Sequence, residues 1–154
     1  MAKYNLEDLL AAINDDVCKN FVTEIHELLQ QEKYKPNFKP LVDGMSATYQ
    51  KEKVGKLKFS FNKKKQLIVR IYADYYANVL NSLPKNMLEQ VANSPICKKA
   101  IDPKKCWDGC DVMYDFYIEE TRHQKCRFDC FLFDVSKENI PHLRNFIKNE
   151  IIER

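Results

Sequence analysis

From Leu6 to Leu29 the apolar residues Leu6, Leu9, Leu10, Ile13, Val17, Phe21, Ile25, Leu28 and Leu29 recur mainly at spacings of three and four, the stripe of an amphipathic helix. Asn5 is placed to cap it, and the Asp15, Asp16 pair offers a second cap, so a short helix followed by a longer one is expected. A single helix over the same stretch would run about 35 Å at ~1.5 Å per residue, long for a chain of this size. Pro36 and Pro40 then fence off a short irregular segment.

Between Gly44 and Ala73 the period shortens to two. Leu57, Phe59 and Phe61 alternate with Lys56, Lys58 and Ser60, the mark of a half-buried strand. Asn62 to Gln66 reads as a polar turn, and Leu67, Val69 and Ile71 resume the apolar face. Pairing Phe61 with Leu67, Phe59 with Val69 and Leu57 with Ile71 keeps all six on the core side. A shorter strand around Ala47 to Gln50 precedes them.

Asp74 is placed to cap a helix with Tyr76, Val79, Leu80 and Leu83 on one side, restarted at Pro84 and continued by Met87, Leu88 and Val91. Ile96 to Gly109 lacks a period and reads as a loop. Val112, Tyr114, Phe116 and Ile118 form a strand, and Lys125 to Val135 the next. A three-residue loop at Arg122, His123 and Gln124 would pair Ile118 with Phe128, Phe116 with Cys130 and Tyr114 with Leu132, and set Glu119 opposite Arg127. Ile140, Leu143, Phe146, Ile147 and Ile151 line a last helix with Pro141 in its first turn. This order predicts an α+β fold over residues 1–154 as a single domain. A β-meander and a β-hairpin, as two ββα-like units, form a mostly antiparallel sheet packed on helices after an N-terminal helical segment.

With 154 residues, 45% hydrophobic and 12% aromatic, the chain has enough apolar matter for one sizeable core. Glu7 and Asp8 leave no apolar leader at the start, and no apolar run approaches the roughly 18 residues a bilayer span needs, so a cytoplasmic protein without a membrane partner is expected. The net charge of +3 is too small to imply a polyanion partner, so position decides. Seven lysines lie between Lys51 and Lys65 against Glu52 alone, and Lys56, Lys58 and Arg70 are expected to share the face away from the core, with Lys58 opposite Arg70. One reading of this basic hairpin is a nucleic-acid or polyanion surface with Tyr49 and Tyr72 for stacking. The plainer one is a solvated face whose lysines deter edge pairing.

Cys97, Cys106, Cys110, Cys126 and Cys130 crowd one segment, and Cys106, Cys110, Cys126 and Cys130 read as two Cys-x3-Cys pairs, which invites a four-thiolate zinc site. The expected hairpin forbids it, because Cys110 and Cys126 would stand roughly 30 Å apart at ~3.3 Å per residue. Cys97, Cys106 and Cys110 remain as a loop cluster. Zinc is the metal they would take, a reversible Cys106 to Cys110 disulfide aided by Lys104 and Lys105 is a second use, and buried thiols are the plainest.

Enzymatic constellations are thin. His26, His123 and His142 sit beside no cysteine or serine and read as surface residues, and three glycines leave no phosphate-cradling loop. Tyr75, Tyr76, Trp107, Tyr114 and Phe116 read as core, or as the wall of a pocket for a small apolar ligand. The expected function is a non-enzymatic ligand-binding or interaction domain taking a small molecule or a protein partner. The alternatives are a metal or thiol-redox protein using the Cys97 to Cys110 loop and a nucleic-acid accessory protein using the basic hairpin.

Overall fold

The computed structural model describes residues 4–42, 44–94, 114–125 and 130–152. The N-terminal helical segment is broken as expected into α1 (Leu6–Ala11) and α2 (Asp16–Gln31). Asn5 and Asp8 close a reciprocal capping box on α1, with Asn5 N donating to Asp8 Oδ2 at 2.8 Å and Asp8 N to Asn5 Oδ1 at 3.2 Å. Asp15 caps α2 by accepting from Val17 N at 2.8 Å.

Five strands form the larger sheet: β1 (Lys35–Leu41), β2 (Gly44–Lys51), β3 (Val54–Phe61), β4 (Leu67–Ile71) and β7 (Leu132–Asp134), in the order β1-β2-β3-β4-β7 with antiparallel neighbours. The β3/β4 register pairs Phe61 with Leu67, Phe59 with Val69 and Leu57 with Ile71, as the alternation requires, and sets Lys58 opposite Arg70. α2 and α4 (Ile140–Ile151) contribute rings to the core face of this sheet. Phe21 of α2 meets Phe59 edge to face at 6.4 Å, and Phe146 of α4 meets Phe133 of β7 at 6.0 Å. Phe131, at the centre, lies 4.8 Å from Tyr114, 5.2 Å from Tyr76 and 5.3 Å from Phe146 between ring centroids. Tyr114 and Phe116 thus belong to the core, while Tyr75 is exposed.

Four expectations are corrected. Pro36 and Pro40 do not fence off an irregular segment; they lie in β1, at the sheet edge, where a missing N–H donor costs least. Residues 76–83 are not an α-helix but two 3-10 turns, Tyr76–Asn78 and Leu80–Ser82, before α3 (Lys85–Ala92). The stripe Tyr76, Val79, Leu80, Leu83 suits either geometry. Tyr75, not Asp74, holds the N-cap position there, and the Asp74 carboxylate accepts from Lys56 Nζ at 3.1 Å.

The fourth correction concerns the hairpin. β5 (Tyr114–Ile118) turns through Glu119 and Glu120 directly into β6 (Thr121–Lys125), pairing Ile118 with Thr121, Phe116 with His123 and Tyr114 with Lys125. β5 and β6 stand as a two-stranded sheet of their own, and Leu132 and Phe133 pair with Arg70 and Val69 of β4 instead of with β5. The architecture is therefore two antiparallel sheets packed against helices. Among the described residues no helix is long and apolar enough to cross a membrane.

Candidate functional site

Among the described residues the thiols supply no metal site. Cys97, Cys106, Cys110 and Cys126, with Trp107, lie outside the described residues. The zinc expectation is corrected: among the described residues no group of three or more His, Cys, Asp and Glu side chains is placed to hold a metal ion. Cys18 and Cys130 are buried. Cys18 Sγ donates to Val135 O at 3.4 Å, and burial, with the Asp15 carboxylate beside it, pushes the thiol pKa up to about 11, away from reactivity.

The histidines also differ from expectation. His26 is not at the surface. It is 9% exposed on the inner face of α2, with Nδ1 2.7 Å from the hydroxyl of the fully buried Tyr49, and burial holds its pKa below the ordinary value. His123 lies within β6 and stacks on Phe116 at 5.9 Å.

The basic hairpin is split by a single extra residue. On β3, Gly55 pairs with Gln50 and Leu57 with Tyr49, which leaves Lys56 without a partner on β2 and makes it a β-bulge. Its side chain is buried with Leu57 instead of pointing away from the core. Lys56 Nζ donates to Glu150 Oε2 at 2.7 Å, Asp74 Oδ2 at 3.1 Å and Tyr72 O at 3.2 Å, so all three of its protons have acceptors. Burial opposes the charge, but the two carboxylates outweigh it and hold the ammonium above its ordinary pKa. This amine is structural. Lys63, Lys64 and Lys65 occupy the β3–β4 turn, at the far end of β3 from Lys51 and Lys53.

Lys51 and Lys53 meet two lysines from elsewhere. Lys33, Lys35, Gln50, Lys51, Glu52 and Lys53 line one cavity of about 510 Å³. α2 ends in a Schellman motif, Tyr34 N donating to Leu29 O at 2.9 Å and Lys33 N to Gln30 O at 3.0 Å, which puts Lys33 at φ 73°. β1 follows at once, and Lys35 pairs with Gln50 of β2. β2 and β3 are joined by Glu52 and Lys53, both left-handed at φ 53° and 67°, the geometry of a type I′ hairpin turn.

All three of these backbone positions favour glycine or asparagine, yet here they carry long charged side chains. Among the described residues five non-glycine positions have positive φ, and three of them line this one cavity. Left-handed backbone costs about 1 kcal/mol or more per residue and clusters at sites where the surrounding structure holds it. Lys51 Nζ sits 5.3 Å from the centroid of the buried Tyr34 ring, a cation–π contact that steadies one wall. Among the described residues no carboxylate lies within ion-pair distance of the four ammonium groups. Four cations against Glu52 make a pocket that attracts anions.

Lys33 and Lys35 escaped the sequence reading because they lie outside the lysine run. The available signal was a Lys-x-Lys pair just past a helix end, Lys33 and Lys35, matched by a second, Lys51 and Lys53, at the β2–β3 turn. Compared with protein-family models, with curated proteins and with solved structures, the chain matches none, so a functional reading has the geometry of these side chains as its support.

Proposed function

We propose that this chain is a non-enzymatic, cytoplasmic, single-domain binding protein that holds a compact polyanion, such as a polyphosphorylated small molecule, in the cavity between the end of α2 and the β2–β3 turn. The observation that carries it is the convergence of Lys33, Lys35, Lys51 and Lys53 on one cavity with Glu52 as the sole acid. A cavity of about 510 Å³ falls in the ordinary range for small ligands, roughly 300–1,000 Å³. An extended nucleic acid is the poorer fit: Lys56 is buried, and Lys63 to Lys65 stand a β3 strand away, roughly 25 Å at ~3.3 Å per residue.

Titration calorimetry with tripolyphosphate, inorganic phosphate and a single-stranded oligonucleotide tests the reading. Tripolyphosphate is expected to bind best, in the micromolar range at low salt. The triple variant K33Q/K35Q/K53Q is expected to weaken it about tenfold or more, since each ammonium that meets a phosphate releases counterions and adds to affinity. Absence of tripolyphosphate binding at millimolar concentration, or an undiminished affinity in the triple variant, overturns it.

A further inference from the structure

A second cavity, about 500 Å³, opens between α3 and the β5–β6 hairpin and differs in chemistry from the first. α3 is two-sided. Met87 and Val91 are fully buried in the core, while Lys85, Leu88, Glu89 and Ala92, at helical spacing on another face, line the cavity. From the hairpin, cross-strand partners share a face, so Ile118 and Thr121 meet it together, with His123 beside them. Leu88 and Ile118 are half-buried and pack against the core, giving the cavity an apolar floor. Glu89 rises from the helix. Glu119 rises from the hairpin turn, held there at φ 57°.

Charge complementarity defines the occupant. Among the described residues no hydrogen bond or ion pair joins the Glu89 or Glu119 carboxylate to a partner. Lys85 offsets one of these two charges. Burial, followed by the positive charge of Lys125, holds the His123 pKa below its ordinary value, so the imidazole adds no charge at neutral pH. One negative charge is left over on the rim of an apolar cleft. We infer that this groove binds a small organic monocation, an aryl- or alkylamine, with its ammonium on Glu89 and Glu119 and its hydrocarbon on Leu88 and Ile118. A carboxylate of the same shape is repelled, and an alcohol of the same shape lacks the ion pairs.

The probes are phenethylamine, phenethyl alcohol and hydrocinnamate, followed by NMR of the Leu88 and Ile118 methyl groups in the full chain. Phenethylamine is expected to shift both methyls and to bind about five- to tenfold more tightly than the alcohol, with hydrocinnamate weakest. In E89Q/E119Q, amine affinity is expected to fall to that of the alcohol while alcohol affinity is unchanged, a readout that a folding defect would not give. Equal affinity for amine and alcohol in the unaltered protein overturns the inference, as does the absence of shifts with all three probes. So do methyl shifts that track protein concentration alone, because a second copy of the chain would then be the occupant. None of these outcomes bears on tripolyphosphate binding, which uses other residues.

Discussion

Lys56 Nζ lies 2.7 Å from Glu150 Oε2, a contact between residues 94 positions apart that ties the middle of the large sheet to the C-terminal end of α4. Glu150 is 1% exposed, and its other oxygen, Oε1, accepts the backbone N–H groups of Asp74 and Tyr75, each at 2.8 Å. Asn149 adds Nδ2 to Tyr75 O at 2.8 Å. One carboxylate thus satisfies a buried cation and two backbone donors in the segment leaving β4.

Removing one member of such a pair strands the other in a dry site. E150A is expected to cost about 3–5 kcal/mol, and E150Q less, because its amide oxygen can still accept from the backbone. K56M/E150Q is expected to be more stable than the sum of its single variants predicts. Urea unfolding of the four proteins gives the coupling energy, and strict additivity would mean that the contact carries none.

The buried His26 predicts how stability depends on acid. Its folded pKa is lowered from 6.5 by burial, an effect that outweighs the nearby Glu27, and that of His123 is lowered too, so between the folded values and 6.5 the unfolded chain binds more protons. The contribution of both histidines is complete above 6.5 and is lost as pH falls below it. Urea midpoints measured from pH 7.5 down to 5.0 are expected to decline, less steeply in H26Q. H26A is expected to cost about 1–3 kcal/mol at neutral pH, because the Tyr49 hydroxyl is left buried without its partner.

Strain and use are opposed at the lysine cavity. K53G and K33G replace left-handed lysines at φ 67° and 73° with the residue that suits them. Each is expected to raise stability by about 1 kcal/mol while weakening tripolyphosphate binding. Thermal unfolding with and without tripolyphosphate reads both effects. A variant that loses stability would show that the lysine side chain carries packing worth more than the strain.

Gly44 takes φ 154° at the start of β2, and a Cβ there would come within 2.9 Å of Phe61 Cδ2. G44A is expected to destabilise by about 1–3 kcal/mol through this overlap and the unfavourable backbone. F61L should recover part of that loss, so G44A/F61L is expected to be less destabilised than the two changes summed. Equal losses in both backgrounds would place the whole cost in the backbone.

The residues that are legible in the sequence are those whose partners are near or whose period is unambiguous. The β3/β4 register follows from six alternating apolar residues and a short turn, and α4 follows from Ile140, Leu143, Phe146, Ile147 and Ile151. The β5 partner was not legible, because β6, Thr121 to Lys125, contains no apolar residue to announce itself. The apolar run after it instead completes the larger sheet through Phe133 beside Val69. Tertiary demand outweighed local pattern there. The lysine cavity was half legible: Lys51 and Lys53 stood out as charge, but only the β1/β2 pairing, through Lys35 and Gln50, brings the end of α2 to them. The bulge at Lys56 left no mark in a strand that otherwise alternates.

That bulge acts on β3 as a phase slip of half a pleat. Side chains on one side of it keep the parity set by Leu57, Phe59 and Phe61, and those on the other side, back to the turn at Glu52 and Lys53, are counted from the opposite parity. Deleting Lys56 would rejoin the two counts and leave the turn where β2, which carries no surplus residue, already holds it; the amine between Glu150 and Asp74 is what would go. One surplus residue thereby seals an amine against α4 while the strand beside it carries the charged turn undisturbed.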